Sequence, residues 1–119
     1  MAGKRTYQGG CHCGQVRYEV STDLEKVVAC NCSICSRAGY LLTFVPPEQF
    51  KLHSGEAAQT DYQFGKKNIH HQFCSTCGVR SFASGKTPKG GNMYAINVRC
   101  LEGVDVNVLK PTPFDGASL

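Results

Sequence analysis

The sequence predicts a mainly β fold with little helix. Apolar and polar residues alternate at the period of a half-buried strand in several short stretches, and turn formers separate them. No stretch sustains the 3.6-residue period of an amphipathic helix for three turns. The 119 residues fit one domain, 1–119, and leave little room for a second.

Residues 16–21, Val16-Arg17-Tyr18-Glu19-Val20-Ser21, alternate strictly and form the clearest strand. Residues 33–37 suit one short helical turn, with Ser33 as its N-cap. Residues 40–45 are an apolar and aromatic run closed by Pro46-Pro47, which cannot continue a ladder. Residues 57–64 are a weaker strand, ended by the turn-like Gly65-Lys66-Lys67-Asn68. Further strands are expected at 69–73, 79–83, 93–98 and 104–109. The glycine-rich stretch 84–92 reads as a solvated loop. The tail 111–119 carries two prolines and a glycine and is expected to be irregular, with Phe114 as its anchor.

Composition narrows the functional classes. Hydrophobic residues are 41% and charged residues 18%, as in a folding chain. No apolar run approaches the length of a membrane span. The start, Met-Ala-Gly-Lys-Arg-Thr-Tyr, has neither a secretory h-region nor the glycine that myristoylation requires. The expected compartment is therefore the reducing cytoplasm. There, clustered cysteines more often bind metal than form disulfides.

Seven of the eight cysteines fall in clusters: Cys11-His12-Cys13, Cys30-Asn31-Cys32-Ser33-Ile34-Cys35, and Cys74-Ser75-Thr76-Cys77. Spacings of one or two residues let a tight turn aim two thiolates at one ion. Zinc takes four such ligands near tetrahedral geometry. Gly14 and Gly78 follow the second cysteine of each outer pair, where a positive φ turns backbone N–H groups toward the sulfurs. Seven thiols divide naturally as four plus three. Four thiolates make a closed structural site, whereas three leave a position for water or substrate. Spacing alone also permits the middle cluster to share an ion with Cys74 and Cys77, or to take Cys100 or a histidine as fourth ligand. Cys100 is read as a buried apolar residue at a strand end. Thiolate sites suit zinc best, but iron or copper(I) also fit.

Gly10-Cys11-His12-Cys13-Gly14-Gln15-Val16, the Cys30–Cys35 motif and Phe73-Cys74-Ser75-Thr76-Cys77-Gly78 resemble the glutathione-dependent formaldehyde-activating enzyme family, which also includes centromere protein V. Asn97-Val98-Arg99-Cys100-Leu101-Glu102-Gly103 and Phe114-Asp115-Gly116 look closer to the centromere protein V branch. The resemblance runs from about Gly9 to Gly116. It implies a β-tent fold of small antiparallel sheets held by zinc. It further implies a structural zinc on Cys11, Cys13, Cys74 and Cys77, and a potentially catalytic zinc on Cys30, Cys32 and Cys35. The implied reaction joins glutathione and formaldehyde reversibly, as a carbon–sulfur lyase.

That chemistry needs a thiol held as thiolate, a proton donor and cationic groups for the glutathione carboxylates. The three-thiolate zinc would help ionise the thiol. His70 and His71 are the candidate proton carriers, and adjacent strand residues face opposite ways, so at most one faces a given pocket. His12 is expected to point away from the metal. Ser33 could orient or relay. Arg37, two residues past the middle cluster, is the leading carboxylate partner, ahead of Arg80, Arg99, Lys66 and Lys67.

The contrasting expectation is a non-catalytic binding module with two structural zincs, for protein or nucleic acid. Only two basic doublets occur, Lys4-Arg5 and Lys66-Lys67, so nucleic acid is not the expected partner. The formal charge of +4 also shrinks to about +1 once seven thiolates and two Zn²⁺ are counted.

Overall fold

The computed structural model describes residues 4–64, 69–87 and 91–118. Among them are ten strands and one short α-helix. The strands are β1 Arg5–Gly10, β2 Arg17–Thr22, β3 Val28–Cys30, β4 Leu42–Val45, β5 Phe50–Ser54, β6 Gln59–Tyr62, β7 Ile69–Cys74, β8 Phe82–Lys86, β9 Asn92–Asn97 and β10 Thr112–Phe114. The helix, α1, is Ser33–Ala38.

A three-stranded antiparallel sheet has the order β1-β2-β5, and a seven-stranded sheet has the order β10-β3-β4-β9-β8-β7-β6. The larger sheet is antiparallel except where β10 lies parallel to β3. The mainly β architecture agrees with the alternation in the sequence.

β2 carries the alternation into the core. Tyr18, Val20 and Thr22 are buried, while Arg17, Glu19 and Ser21 are half-buried on the other face. Tyr18 packs with Phe50 and Phe82, at ring centroid distances of 5.3 and 5.6 Å. Its hydroxyl donates to the Ser81 carbonyl at 3.2 Å, so the buried phenol keeps a partner. Val16, Val45, Ile96 and Val98 complete a dry interior between the two sheets. Each such side chain contributes roughly 1.5–3 kcal/mol of transfer free energy.

Several sequence expectations need correction. Residues 104–109 are not a strand. Val106–Val108 form a 3-10 turn, because the Asp105 side chain accepts from the Asn107 N–H and bends the backbone. The strand expected at 79–83 begins only at Phe82. The Val79 carbonyl is engaged by the Cys74 N–H, and the Ser81 carbonyl faces β9 and Tyr18. β8 then runs to Lys86, into the stretch expected as loop. The tail is not wholly irregular, since Thr112–Phe114 pairs with Val28–Cys30. Phe114 is about half exposed and is not a buried anchor. Strands β1, β3 and β5 were not anticipated. The turn expected at 65–68 lies outside the described residues.

Two candidate metal centres

Cys11 and Cys13 occupy the turn between β1 and β2, while Cys74 ends β7 and Cys77 follows in the turn toward β8. The four sulfurs lie within 4.8 Å of one another. Cys11–Cys13 and Cys13–Cys74 are each separated by 3.6 Å. That is close to the ~3.8 Å edge of a tetrahedron with ~2.3 Å zinc–sulfur bonds. It is far beyond the ~2.05 Å of a disulfide.

The two turns are built alike. The Val16 N–H donates to Cys11 Sγ at 3.3 Å, and the Cys77 N–H donates to Cys74 Sγ at 3.5 Å. Gly14 and Gly78 take φ values of 87° and 79°, the left-handed conformation that aims these donors inward. Gln15 Nε2 donates to Thr76 Oγ1 at 2.9 Å and ties one turn to the other. The Val79 backbone N–H, outweighing burial, draws the Cys77 thiol down to about 6. A thiolate-binding ion fits this donor set, and it would join the β1–β2 hairpin to the β7–β8 hairpin.

The second cluster is local. Cys30 ends β3, Cys32 precedes α1 and Cys35 lies on the buried face of α1. Their sulfurs also lie within 4.8 Å of one another, and no fourth side-chain ligand joins them among the described residues. The N-cap of α1 is Cys32, not Ser33. Cys32 Sγ accepts from the Cys35 N–H at 3.5 Å, and Cys30 Sγ accepts from the Cys32 N–H at 3.4 Å. Burial raises the Cys35 thiol pKa. Tyr40 and Leu42 pack against Cys35 as the floor of the cluster.

The C-terminal segment lies against this site. The Asn31 N–H donates to the Phe114 carbonyl at 3.1 Å, and Asn31 Nδ2 donates to Asp115 Oδ1 at 3.0 Å. Asn31 Oδ1 accepts from the Ala117 N–H at 2.9 Å. Ser118 Oγ donates to Asp115 Oδ2 at 2.6 Å. Bonds from Ser118 and Asn31 hold the Asp115 carboxyl below its usual range. Asn31 stands between two cysteines and Asp115 in a quoted motif, yet no role for either followed from the sequence.

The other candidate residues are dispersed. Ser33 and Arg37 line a cavity of about 290 Å³ with Ile34, Tyr62 and Phe64. Arg37 Nη1 donates to the Ser33 carbonyl at 3.0 Å. His70 is exposed and pairs with Asp61 at 2.7 Å. It faces a cavity of about 430 Å³ lined by Ser84, Lys86 and Tyr94 among others. His71 is buried and stacks on Phe64 at 5.4 Å. Burial, helped by the Arg80 charge, lowers its pKa.

Arg80 is half-buried, with its guanidinium over the rings of Phe73 at 4.9 Å and Tyr62 at 5.9 Å. It stands beside the Tyr40 hydroxyl, whose pKa burial raises and Arg80 partly offsets. Tyr40 Oη, Arg80 Nη1 and His71 Nδ1 are all buried and lack hydrogen-bond partners among the described residues. Tyr40, which packs on Cys35, thus lies near a set of unpaired buried polar atoms that the sequence did not suggest.

His12 is exposed, and Arg99 is exposed with its Nε donating to the Gly39 carbonyl at 3.1 Å. Lys66 and Lys67 lie outside the described residues. Cys100 is in a helical turn just past β9, partly buried, and outside both clusters. Its thiol donates to the Arg80 carbonyl at 3.7 Å, and burial raises its pKa to about 11.

The chain has a counterpart in a crystal structure of a Rhodobacter sphaeroides protein. The two share 32% identity and a TM-score of 0.79, over 89% of this chain and 97% of that one. A family model described as glutathione-dependent formaldehyde-activating enzyme matches residues 6–113. This span takes in all three cysteine clusters and all the described strands but the first residue of β1 and the last of β10. The chain belongs to the glutathione-dependent formaldehyde-activating enzyme family.

Proposed function

We propose that the protein is a zinc-dependent carbon–sulfur lyase of the cytoplasm, joining a small thiol such as glutathione to an aldehyde such as formaldehyde. The observation that carries this reading is the cluster of three cysteine sulfurs with no fourth side-chain ligand among the described residues. The four-cysteine cluster, with its full set of thiolates, is read as the structural site.

Zinc held by Cys30, Cys32 and Cys35 would supply the positive charge that favours the thiolate form of an incoming thiol. The thiol proton leaves to a base as the sulfur lone pair forms the new C–S bond. The carbonyl π pair moves onto oxygen, which takes up one proton, giving a hydroxymethyl thioether. The reverse sequence breaks the C–S bond. We assign the proton carrier to His71 rather than His70. Its lowered pKa favours the neutral ring that can accept a proton, and Arg80 lies near both His71 and the Tyr40 that packs on Cys35. Ser33 and Arg37 line the cavity against α1, where a peptide carboxylate of the thiol would find a guanidinium.

The test is metal stoichiometry on the wild type and Cys32→Ser, followed by an assay of glutathione with formaldehyde. Two zinc equivalents falling to one in the variant, with turnover lost alongside, supports the reading. No turnover in the fully loaded protein, together with tight duplex DNA binding that weakens steeply with salt, replaces it with a binding module.

A further inference from the structure

The three-cysteine site has a wall made by a distant part of the chain. β10 runs parallel to β3 with Phe114 beside Cys30, so the residues just past it reach the cluster. Asn31 is the anchor. It stands between two of the cysteines and makes three hydrogen bonds to the segment, to Phe114, Asp115 and Ala117. Asp115 is held from its other oxygen by Ser118, which keeps its carboxylate turned toward Asn31. Between these bonds lies Gly116. A Cβ at 116 would stand 2.6 Å from Cys30 Sγ, 3.1 Å from Cys32 Cβ and 3.6 Å from the Phe114 ring. Only main chain fits there. Cys35 is buried on Tyr40 and Leu42 at the floor, while the segment lies against Cys30 and Cys32.

We propose that the C-terminal segment 112–118 is a wall of the three-cysteine centre, with Asn31 and Asp115 as positioning residues and Gly116 as the residue that selects slender, unbranched thiols. The inference rests on the reading of that centre as a thiol site, and deepens it. It concerns only how this chain shapes the site. A tight wall of main chain beside Cys30 admits a primary thiol, whose carbon next to sulfur carries hydrogens. Methyl groups on that carbon would crowd the side of the site that Gly116 closes.

The test reads metal and ligand binding, without turnover. Zinc affinity is measured for each equivalent by chelator competition in the wild type, Asn31→Ala, Asp115→Ala and Asp115→Asn. Cys32→Ser identifies the second equivalent. The expected result is a loss of tenfold or more in the second affinity for Asn31→Ala and Asp115→Ala, with the first unchanged. Asp115→Asn retains an acceptor for Asn31 Nδ2 and is expected to fall between. An unchanged second affinity in both alanine variants overturns the proposal. So does the loss of both equivalents together, which would make the segment a general element of the fold.

Thiol selection is read on the cobalt-substituted wild type, by the sulfur-to-cobalt absorption on titration with cysteine and with its β,β-dimethyl analogue. At least tenfold tighter binding of cysteine is expected, and equal binding overturns the role of Gly116. These readouts separate the two claims. Absent turnover with the expected affinities refutes only the lyase, and intact turnover with unchanged affinities refutes only the wall.

Discussion

Gly116 packs its main chain directly on the sulfur of Cys30, a residue 86 positions earlier, leaving no room for a side chain. A Cβ 2.6 Å from Sγ must displace either the segment past β10 or the cysteine. Gly116→Ala is therefore expected to lower stability by about 1–3 kcal/mol, the usual cost of overpacking. Urea midpoints of the zinc-loaded protein check this, with an unshifted midpoint as the contrary result.

The interior between the sheets sets a second expectation. Ile96 is fully buried, and Ile96→Ala is expected to cost about 2–5 kcal/mol. Tyr18→Phe removes the bond to the Ser81 carbonyl and is expected to cost roughly 0.5–1.5 kcal/mol. Denaturant titration of each variant at equal metal loading measures both. A larger loss for Tyr18→Phe than for Ile96→Ala would contradict the packing described.

Metal removal should act through the four-cysteine cluster. Its turns come from hairpins in different sheets, joined otherwise by few polar contacts such as Gln15 to Thr76. Chelation is expected to lower the melting temperature sharply, and Cys74→Ser to reproduce most of that drop. Thermal melts with and without chelator decide it. Coincident melts would remove the structural role of this site.

His71 predicts a pH dependence. Its folded pKa lies below the ordinary 6.5, because burial and Arg80 disfavour the charged ring. The unfolded chain therefore takes up a proton before the folded one does. Stability should be full above about pH 7 and fall as pH drops through the unfolded value toward the lowered folded one. Replacing His71 by Phe should flatten this part of the profile. The check compares urea midpoints of wild type and variant between pH 7.5 and 5.5 at equal zinc loading. Parallel profiles would assign the slope to other groups.

Much of the fold was legible because its signals are local. The alternation in β2 maps residue by residue onto buried and half-buried faces. The positive φ at Gly14 and Gly78 was readable from their place after a cysteine pair. The unanticipated strands carry weak signals: β1 is rich in polar residues and glycine, and β3 has only three residues. Residues 104–109 misled because their apolar pattern suits a strand while the Asp105 side chain closes a turn.

Residue chemistry and short spacing pointed to cysteine clusters suited to metal and to a four-plus-three division, which the structure then separates into one long-range and one local group. Each cysteine motif depends on a turn of a few residues, whose geometry does not need the rest of the chain. Other features come from long-range closure. Cys13 meets Cys74 across 61 residues only because the two sheets pack over Tyr18 and its aromatic neighbours. The parallel register of β10 on β3 brings Asp115 and Gly116 to Asn31 and Cys30. Burial also leaves the Tyr40 hydroxyl, packed beside Cys35, and Arg80 Nη1 without hydrogen-bond partners among the described residues. Such contacts follow from register and packing, which no local pattern encodes.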